Sequence, residues 1–178
     1  MHLARRSWFA LTLLVALALL PSAAQAGELI IRDGGKHERP ATLDFTGGLW
    51  VLGDTSWFGG AVWLCLPIVP QGFIPPLNDT FNLEFGLWSF YYHPTRSNNY
   101  FGLTPAAGVR WDFHLAQQWT VFGSGKLGFF VPFGSDAPRS HLEPAFTVGA
   151  LYKYSSKTFV RLETGNLGLF QAGVSLVL

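Results

Sequence analysis

Cysteine and metal-binding patterns are almost absent from this sequence. Cys65 is the single cysteine of the 178-residue chain, which excludes an intramolecular disulfide framework. Because its position gives it the same strand face as Ala61 and Trp63, we expect Cys65 to be a small buried side chain rather than a reactive thiol. The histidines show no spacing typical of a metal site, and no glycine-rich phosphate motif follows a predicted strand. The sequence therefore predicts no cofactor.

Charge is also scarce, since only 13% of the residues are charged. The formal net charge of +1 includes Arg5 and Arg6, so it becomes −1 once the first residues are removed. A basic excess, which nucleic-acid-binding proteins use to contact phosphates, is missing. We therefore expect no nucleic-acid partner.

The only long apolar run lies at the N-terminus. Arg5 and Arg6 precede the apolar stretch Phe9–Leu20, and Ala24-Gln25-Ala26 then fits the small-x-small rule for signal cleavage. The run is shorter than the roughly 20 residues that a membrane-spanning helix needs. We predict a signal peptide over residues 1–26 that directs export, with a membrane-anchoring helix as the alternative.

The remaining chain is hydrophobic without containing a spanning helix. Residues 27–41 are polar and rich in turn formers, and we expect a flexible periplasmic segment there, with a docked plug as the alternative. The part that follows holds no apolar run of the length required to cross a bilayer. It must bury its apolar surface in a core or in lipid, and only helices and closed barrels satisfy every backbone group inside a bilayer.

Apolar residues instead alternate with polar ones along the chain. The stretch 100–132 is typical, because Val109, Trp111 and Phe113 alternate with Arg110 and Asp112, and the pattern resumes after the turn 115–118. Such alternation gives each strand one apolar and one polar face. The predicted strands lie at about 42–52, 57–68, 80–92, 100–114, 119–132, 141–154, 158–164 and 170–178. An even number of strands permits antiparallel closure.

The polar face carries charges in mid-strand, which is the reverse of a soluble barrel. The sequence therefore predicts an all-β fold over residues 42–178, an eight-stranded antiparallel up-and-down transmembrane β-barrel with a polar interior. The charges predicted to line this interior are Asp44, Glu84, Arg110, Asp112, Lys126, Glu143, Lys153, Arg161 and Glu163. The candidate pairs are Glu84 with Arg110, Lys126 with Glu143, and Arg161 or Glu163 with neighbouring charges. Buried charges persist when paired and hydrogen-bonded, so we expect a salt-bridged core that closes the barrel, with a gated ion path as the alternative.

Aromatic residues cluster near both ends of the predicted strands. One band flanks the short turns and the other flanks the longer polar loops, as in the interfacial girdles of membrane barrels. The predicted girdle residues are Tyr91, Tyr92, Tyr100, Trp111, Trp119, Phe129, Tyr152 and Tyr154. The apolar, proline-rich loop 69–79 is expected to lie against the membrane interface or to fold under the barrel mouth.

In these features the chain resembles small outer-membrane β-barrels of the OmpA/OmpX type. The last strand keeps the alternating apolar series that the barrel-assembly machinery reads in that family, although Leu178 replaces the usual terminal aromatic residue. The residues of this assembly signal are Phe170, Val174, Leu176 and Leu178. The resemblance implies residence in the outer membrane of a Gram-negative bacterium, contact with outer-membrane lipid or lipopolysaccharide, and a monomer.

A structural, surface-binding or envelope-integrity role is the function expected from this reading. A narrow channel is one alternative, and a soluble secreted barrel with an apolar ligand is another. A lipid A-modifying enzyme is the third alternative, because Ser140, His141 and Glu143 are adjacent. We do not expect catalysis, since Ser140 points to the opposite face of the strand from His141 and Glu143.

Overall fold

Eight antiparallel strands, joined in chain order, close into one up-and-down barrel in the computed structural model. The structure describes residues 29–32, 39–52, 55–94, 99–134, 137–166 and 168–178. The strands are β1 (Thr42–Leu52), β2 (Thr55–Val69), β3 (Asp79–Pro94), β4 (Tyr100–His114), β5 (Trp119–Phe133), β6 (His141–Lys153), β7 (Thr158–Gly165) and β8 (Gly168–Val177). The predicted eight-stranded antiparallel barrel is confirmed. The signal peptide predicted over residues 1–26 lies outside the described residues.

Burial alternates along the strands with the period that the sequence predicts. In β5, the side chains of Phe122, Ser124 and Lys126 are buried, whereas Leu127 and Phe129 are exposed. The barrel interior therefore receives the mostly polar face, and the outer wall carries the apolar one. No helix in the described part of the chain is long and apolar enough to cross a membrane.

We call the end where β1 begins and β8 finishes the proximal end, and the opposite end the distal end. The distal rim is uneven, because β7 has 8 residues and β8 has 10, whereas β6 has 13. The pairing of β6 with β7 stops at Thr147 and Gly165, so β6 extends beyond β7 at the distal end. Beyond that point the Asn166 side chain accepts a bond from the Phe146 amide (2.7 Å) and donates one to the Pro144 carbonyl (2.8 Å). This lower part of the wall is the distal notch.

The segment before β1 is docked against the proximal end. Ile30 donates a backbone hydrogen bond to Leu115 (2.9 Å), and Asn78 donates one to Ile31 (2.8 Å). The Arg39 guanidinium binds the Asn78 side chain. Burial lowers the pKa of Arg39, and the Asp112 carboxylate nearby acts in the opposite direction. The described parts of the predicted flexible segment 27–41 are thus held by hydrogen bonds, because the turn after β4 and the loop before β3 offer backbone partners.

The apolar loop between β2 and β3 folds around a single carboxylate. Asp79 is 1% exposed, and its Oδ2 accepts bonds from the Phe73 amide (3.1 Å) and the Trp111 indole (2.7 Å). Gly72 has a φ of 65°, a backbone conformation that favours glycine. The Phe73 ring packs edge-on against Phe81 with centroids 5.0 Å apart. The loop therefore lies on the proximal rim of the outer wall, and its contact with a membrane interface stays a prediction.

Candidate functional site

Seven buried charged residues meet in the proximal half of the barrel interior. Each is no more than 5% exposed. The members of this charge network are Asp44, Glu84, Arg110, Asp112, Lys126, Arg161 and Glu163. They come from five strands. Alternate residues of every strand point inward, and the tilt of the strands brings residues of distant strands to the same height in the barrel. Four carboxylates face three cations.

The two arginines are arranged in the same way. Arg110 binds Asp112, two residues further along its own strand, through Nε (2.8 Å) and Nη2 (3.0 Å). Arg161 binds Glu163 through Nε (2.9 Å) and Nη2 (2.6 Å). Their Nη1 atoms both reach Glu84 Oε1, each at 3.2 Å.

Asp44 completes the bridge between the two arginines. Its Oδ2 accepts from Arg110 Nη1 at 2.9 Å and also from Arg161. Two guanidiniums that share two carboxylates form the charge-assisted geometry in which such pairs are strongest. The interior is thereby cross-linked from β1 and β3 to β4 and β7.

Aromatic rings line the charges as well. The Phe122 ring lies under both guanidiniums, with its centroid 5.3 Å from Arg110 Cζ and 4.7 Å from Arg161 Cζ. Lys126 Nζ binds Glu84 Oε2 (2.6 Å) and donates to Ser124 Oγ (2.7 Å). The ammonium of Lys126 also sits 4.8 Å from the Trp63 ring centroid. Cation–π contacts of this kind are worth about 0.5–2 kcal/mol each, the larger value when the pair is desolvated.

The distal half of the interior is aromatic rather than charged. We call Trp57, Trp63, Trp88, Phe90 and Phe130 the aromatic layer. Phe90 and Phe130 stack with centroids 5.5 Å apart and an angle of 7°. Gly102 opposes them because a methyl group there would collide with both rings. A cavity of about 20 Å³ between this layer and the charge network has room for about one water molecule, so side chains fill the interior at this level.

Two of the predicted interior charges lie outside the network. Lys153 ends β6 at the proximal rim, where its side chain is exposed. Glu143 is half-buried near the other end of β6. The predicted pair of Lys126 with Glu143 is wrong, because Lys126 turns toward Glu84. The structure does bring Glu84 and Arg110 together.

The predicted girdle residues divide between the two faces of the wall. Tyr92 and Tyr100 were predicted to lie in the outer girdles, but they lie inside the barrel. They share the strand faces of the inward residues, and their ring centroids are 4.8 Å apart. Tyr100 also packs against buried Phe130, with centroids 6.3 Å apart. Their nearness to the strand ends suggested girdles, but position along a strand does not set the face.

The other predicted girdle residues face outward or lie beyond the strands. Near the distal end, Tyr91 packs against Phe58 at 5.5 Å, and Phe129 is 47% exposed. Near the proximal end, Trp119 packs against Tyr152 at 4.9 Å. The other two proximal members are Trp111, which contacts Phe113 at 5.0 Å, and Tyr154, which follows β6 and is 76% exposed.

The described part of the outer wall carries almost no charge. Among outward-facing strand residues whose side chains the structure describes, the only charged one is Asp79, which is buried at the proximal rim. The large apolar side chains exposed on this wall include all four residues of the predicted assembly signal: Phe170, Val174, Leu176 and Leu178, each at least 39% exposed. The Leu178 amide donates to Ala41 (3.0 Å), so the last residue stays joined to the start of β1.

His141, from the adjacent set Ser140, His141 and Glu143, contacts a backbone carbonyl and an aromatic ring. His141 Nδ1 hydrogen-bonds to the Arg139 carbonyl (2.9 Å), and its ring packs against Phe130. In the described ranges no group of three or more His, Cys, Asp and Glu residues could hold a metal ion. No protein-family model matches the sequence, and the search of curated proteins found no match.

Proposed function

We propose that this protein is an integral β-barrel of the outer membrane of a Gram-negative bacterium. The observation that carries the proposal is the inverted polarity of the wall: seven charges are buried inside, while large apolar side chains face out. A soluble monomeric domain rarely exposes a contiguous apolar patch larger than a few hundred square ångströms. An apolar belt around a closed barrel is the arrangement that lipid requires.

The interior supports a structural, surface-binding or envelope-integrity role rather than transport. The charge network and the aromatic layer occupy successive levels of the same interior. Each charge of the network has an oppositely charged partner within 3.2 Å. Moving one side chain aside to let an ion pass would therefore leave its partners buried and unpaired. The barrel then serves as a rigid anchor whose distal loops meet the cell exterior.

Membrane fractionation and liposome flotation test this proposal. The chain expressed in a Gram-negative host should be recovered in the outer membrane. After purification and detergent exchange into liposomes it should float with lipid. In gel electrophoresis, an unheated sample should migrate faster than a heated one, as a folded barrel does. Planar bilayers that contain the protein should show no conductance. A monodisperse protein in detergent-free buffer would overturn membrane residence, and steady conductance would overturn the closed core.

A further inference from the structure

The outer wall carries an open apolar groove centred on β4, β5 and β6. Its volume is about 580 Å³, within the range of about 300–1,000 Å³ typical of small-molecule sites. The floor consists of Gly123 and Gly125, which face outward from β5 where a large side chain would otherwise stand. We call this depression the glycine groove.

The strand register shows why the groove exists. Gly125 lies between Val109 of β4 and Phe146 of β6 in one row of paired residues. In the next row, Gly123 lies between Trp111 and Val148. Each row therefore has large side chains on both sides and none in the middle, and a Cβ atom added to Gly123 would meet nothing within 4 Å.

The groove has the width of one hydrocarbon chain. Its two walls belong to strands on either side of β5, so they stand two strand spacings apart, about 9.5 Å between backbones. The side chains of Trp111 and Phe146 take up part of that width. An α-helix of about 10–12 Å diameter would not reach the glycine floor.

The apolar chemistry of the lining also suits an acyl chain. The lining extends sideways from Phe81 on β3 to Thr164 on β7, and both residues belong to the same register row as Gly123. Its lining contains no charged residue. We propose that the glycine groove binds one acyl chain of a membrane lipid, and this rests on the proposed function because only a membrane would present such chains to the wall.

Photo-crosslinking with a phospholipid that carries a diazirine in its acyl chain tests the site. The purified protein is reconstituted with this lipid, irradiated and digested, and the labelled peptides are identified by mass spectrometry. We expect label to concentrate on the strands that line the groove. In G123F the ring fills the groove, and labelling there should fall at least about fivefold, which corresponds to about 1 kcal/mol.

The matched control is G47F. Gly47 faces outward and is exposed on β1, across the barrel from β5, and a Cβ there would have a single neighbour, the Gly59 carbonyl oxygen at 3.8 Å. G47F should leave labelling of the groove unchanged. Folding of both variants is checked by the electrophoretic shift on heating, and if G123F does not fold, G125A, which narrows the floor less, replaces it.

The outcomes distinguish failure of the lipid site from failure of the proposed membrane residence. A protein that fails to float with liposomes refutes membrane residence and the lipid site together. A protein that floats but is labelled evenly around the wall, or equally in G123F and wild type, refutes the lipid site alone. Groove labelling that falls as the protein-to-lipid ratio rises would assign the groove to a second chain and also overturn the proposal.

Discussion

Replacement of Arg161 by methionine is the strongest test of the charge network. Arg161 is 0% exposed and binds three carboxylates, those of Asp44, Glu84 and Glu163. Methionine keeps an unbranched stem that packs against Phe122, but it leaves Glu163 without its arginine. Removing one partner of a buried pair costs about 3–5 kcal/mol. We expect R161M to lower the free energy of unfolding by at least that amount.

The assay is urea unfolding of the barrel in liposomes, followed by tryptophan fluorescence and by the electrophoretic shift on heating. Lys153→Met is the control, because that side chain is exposed at the rim and such substitutions change stability by about 0.5 kcal/mol or less. Adding Glu163→Gln to R161M removes the carboxylate that R161M leaves unpaired. The coupling energy between the two substitutions, measured by a double-mutant cycle, should be about 0.5–3 kcal/mol. An R161M barrel within about 1 kcal/mol of wild type would refute the reasoning.

Three further predictions concern the Phe122 ring, the loop before β3 and the outer wall. Phe122→Ala removes the ring beneath both guanidiniums and should destabilise the barrel in urea by about 3–5 kcal/mol. Asp79→Ala removes the acceptor of the Phe73 amide and the Trp111 indole, so limited proteolysis should cut the loop 70–78 faster while cleavage at other loops stays unchanged. Val174→Arg places a charge on the outer wall and should cost about 2–4 kcal/mol if the site lies at the bilayer midplane, whereas V174L should match wild type; equal stability of the two variants would argue against lipid at this position.

The period of two in the sequence predicts the strands and the face of most side chains, because alternation is a local property. It places Glu84, Arg110 and Lys126 inside without any knowledge of the fold. The number of strands follows from the turns between them, and closure follows from an even number of strands with an apolar outer face.

Partner choice inside the barrel could not be predicted in this way. Lys126 lies opposite Ala145 on β6, and from β5 it reaches Glu84 on β3, two strands away. That contact depends on the tilt of the strands and on Gly108, which lies between the two residues in the register and leaves room for the lysine stem. Adjacency of the strands, which suggested Glu143 on β6 as the partner, was therefore the wrong guide for Lys126.

The aromatic layer was missed for a related reason. Its members sit on the inward face of their strands, where Trp88 interrupts the polar series of β3, whereas Trp63 lies between the apolar residues Ala61 and Cys65 on β2. Glycines on facing strands were the available signal, since Gly86 lies opposite Trp63 and a methyl group there would collide with the indole. Large rings and glycines at paired inward positions indicate a packed interior.

The most direct test of the inverted barrel is the accessibility of spin labels along β3. Single labels placed at residues 83, 85, 87 and 88 in a Cys65→Ser background, in liposomes, are exposed in turn to oxygen, which partitions into lipid, and to a water-soluble nickel reagent. Outward positions such as Phe85 and Leu87 should show high oxygen and low nickel accessibility, while inward Trp88, whose indole leaves space for the label, should show little of either. High nickel accessibility at Phe85 and Leu87 would mean that water bathes the outer wall, and the account would be contradicted.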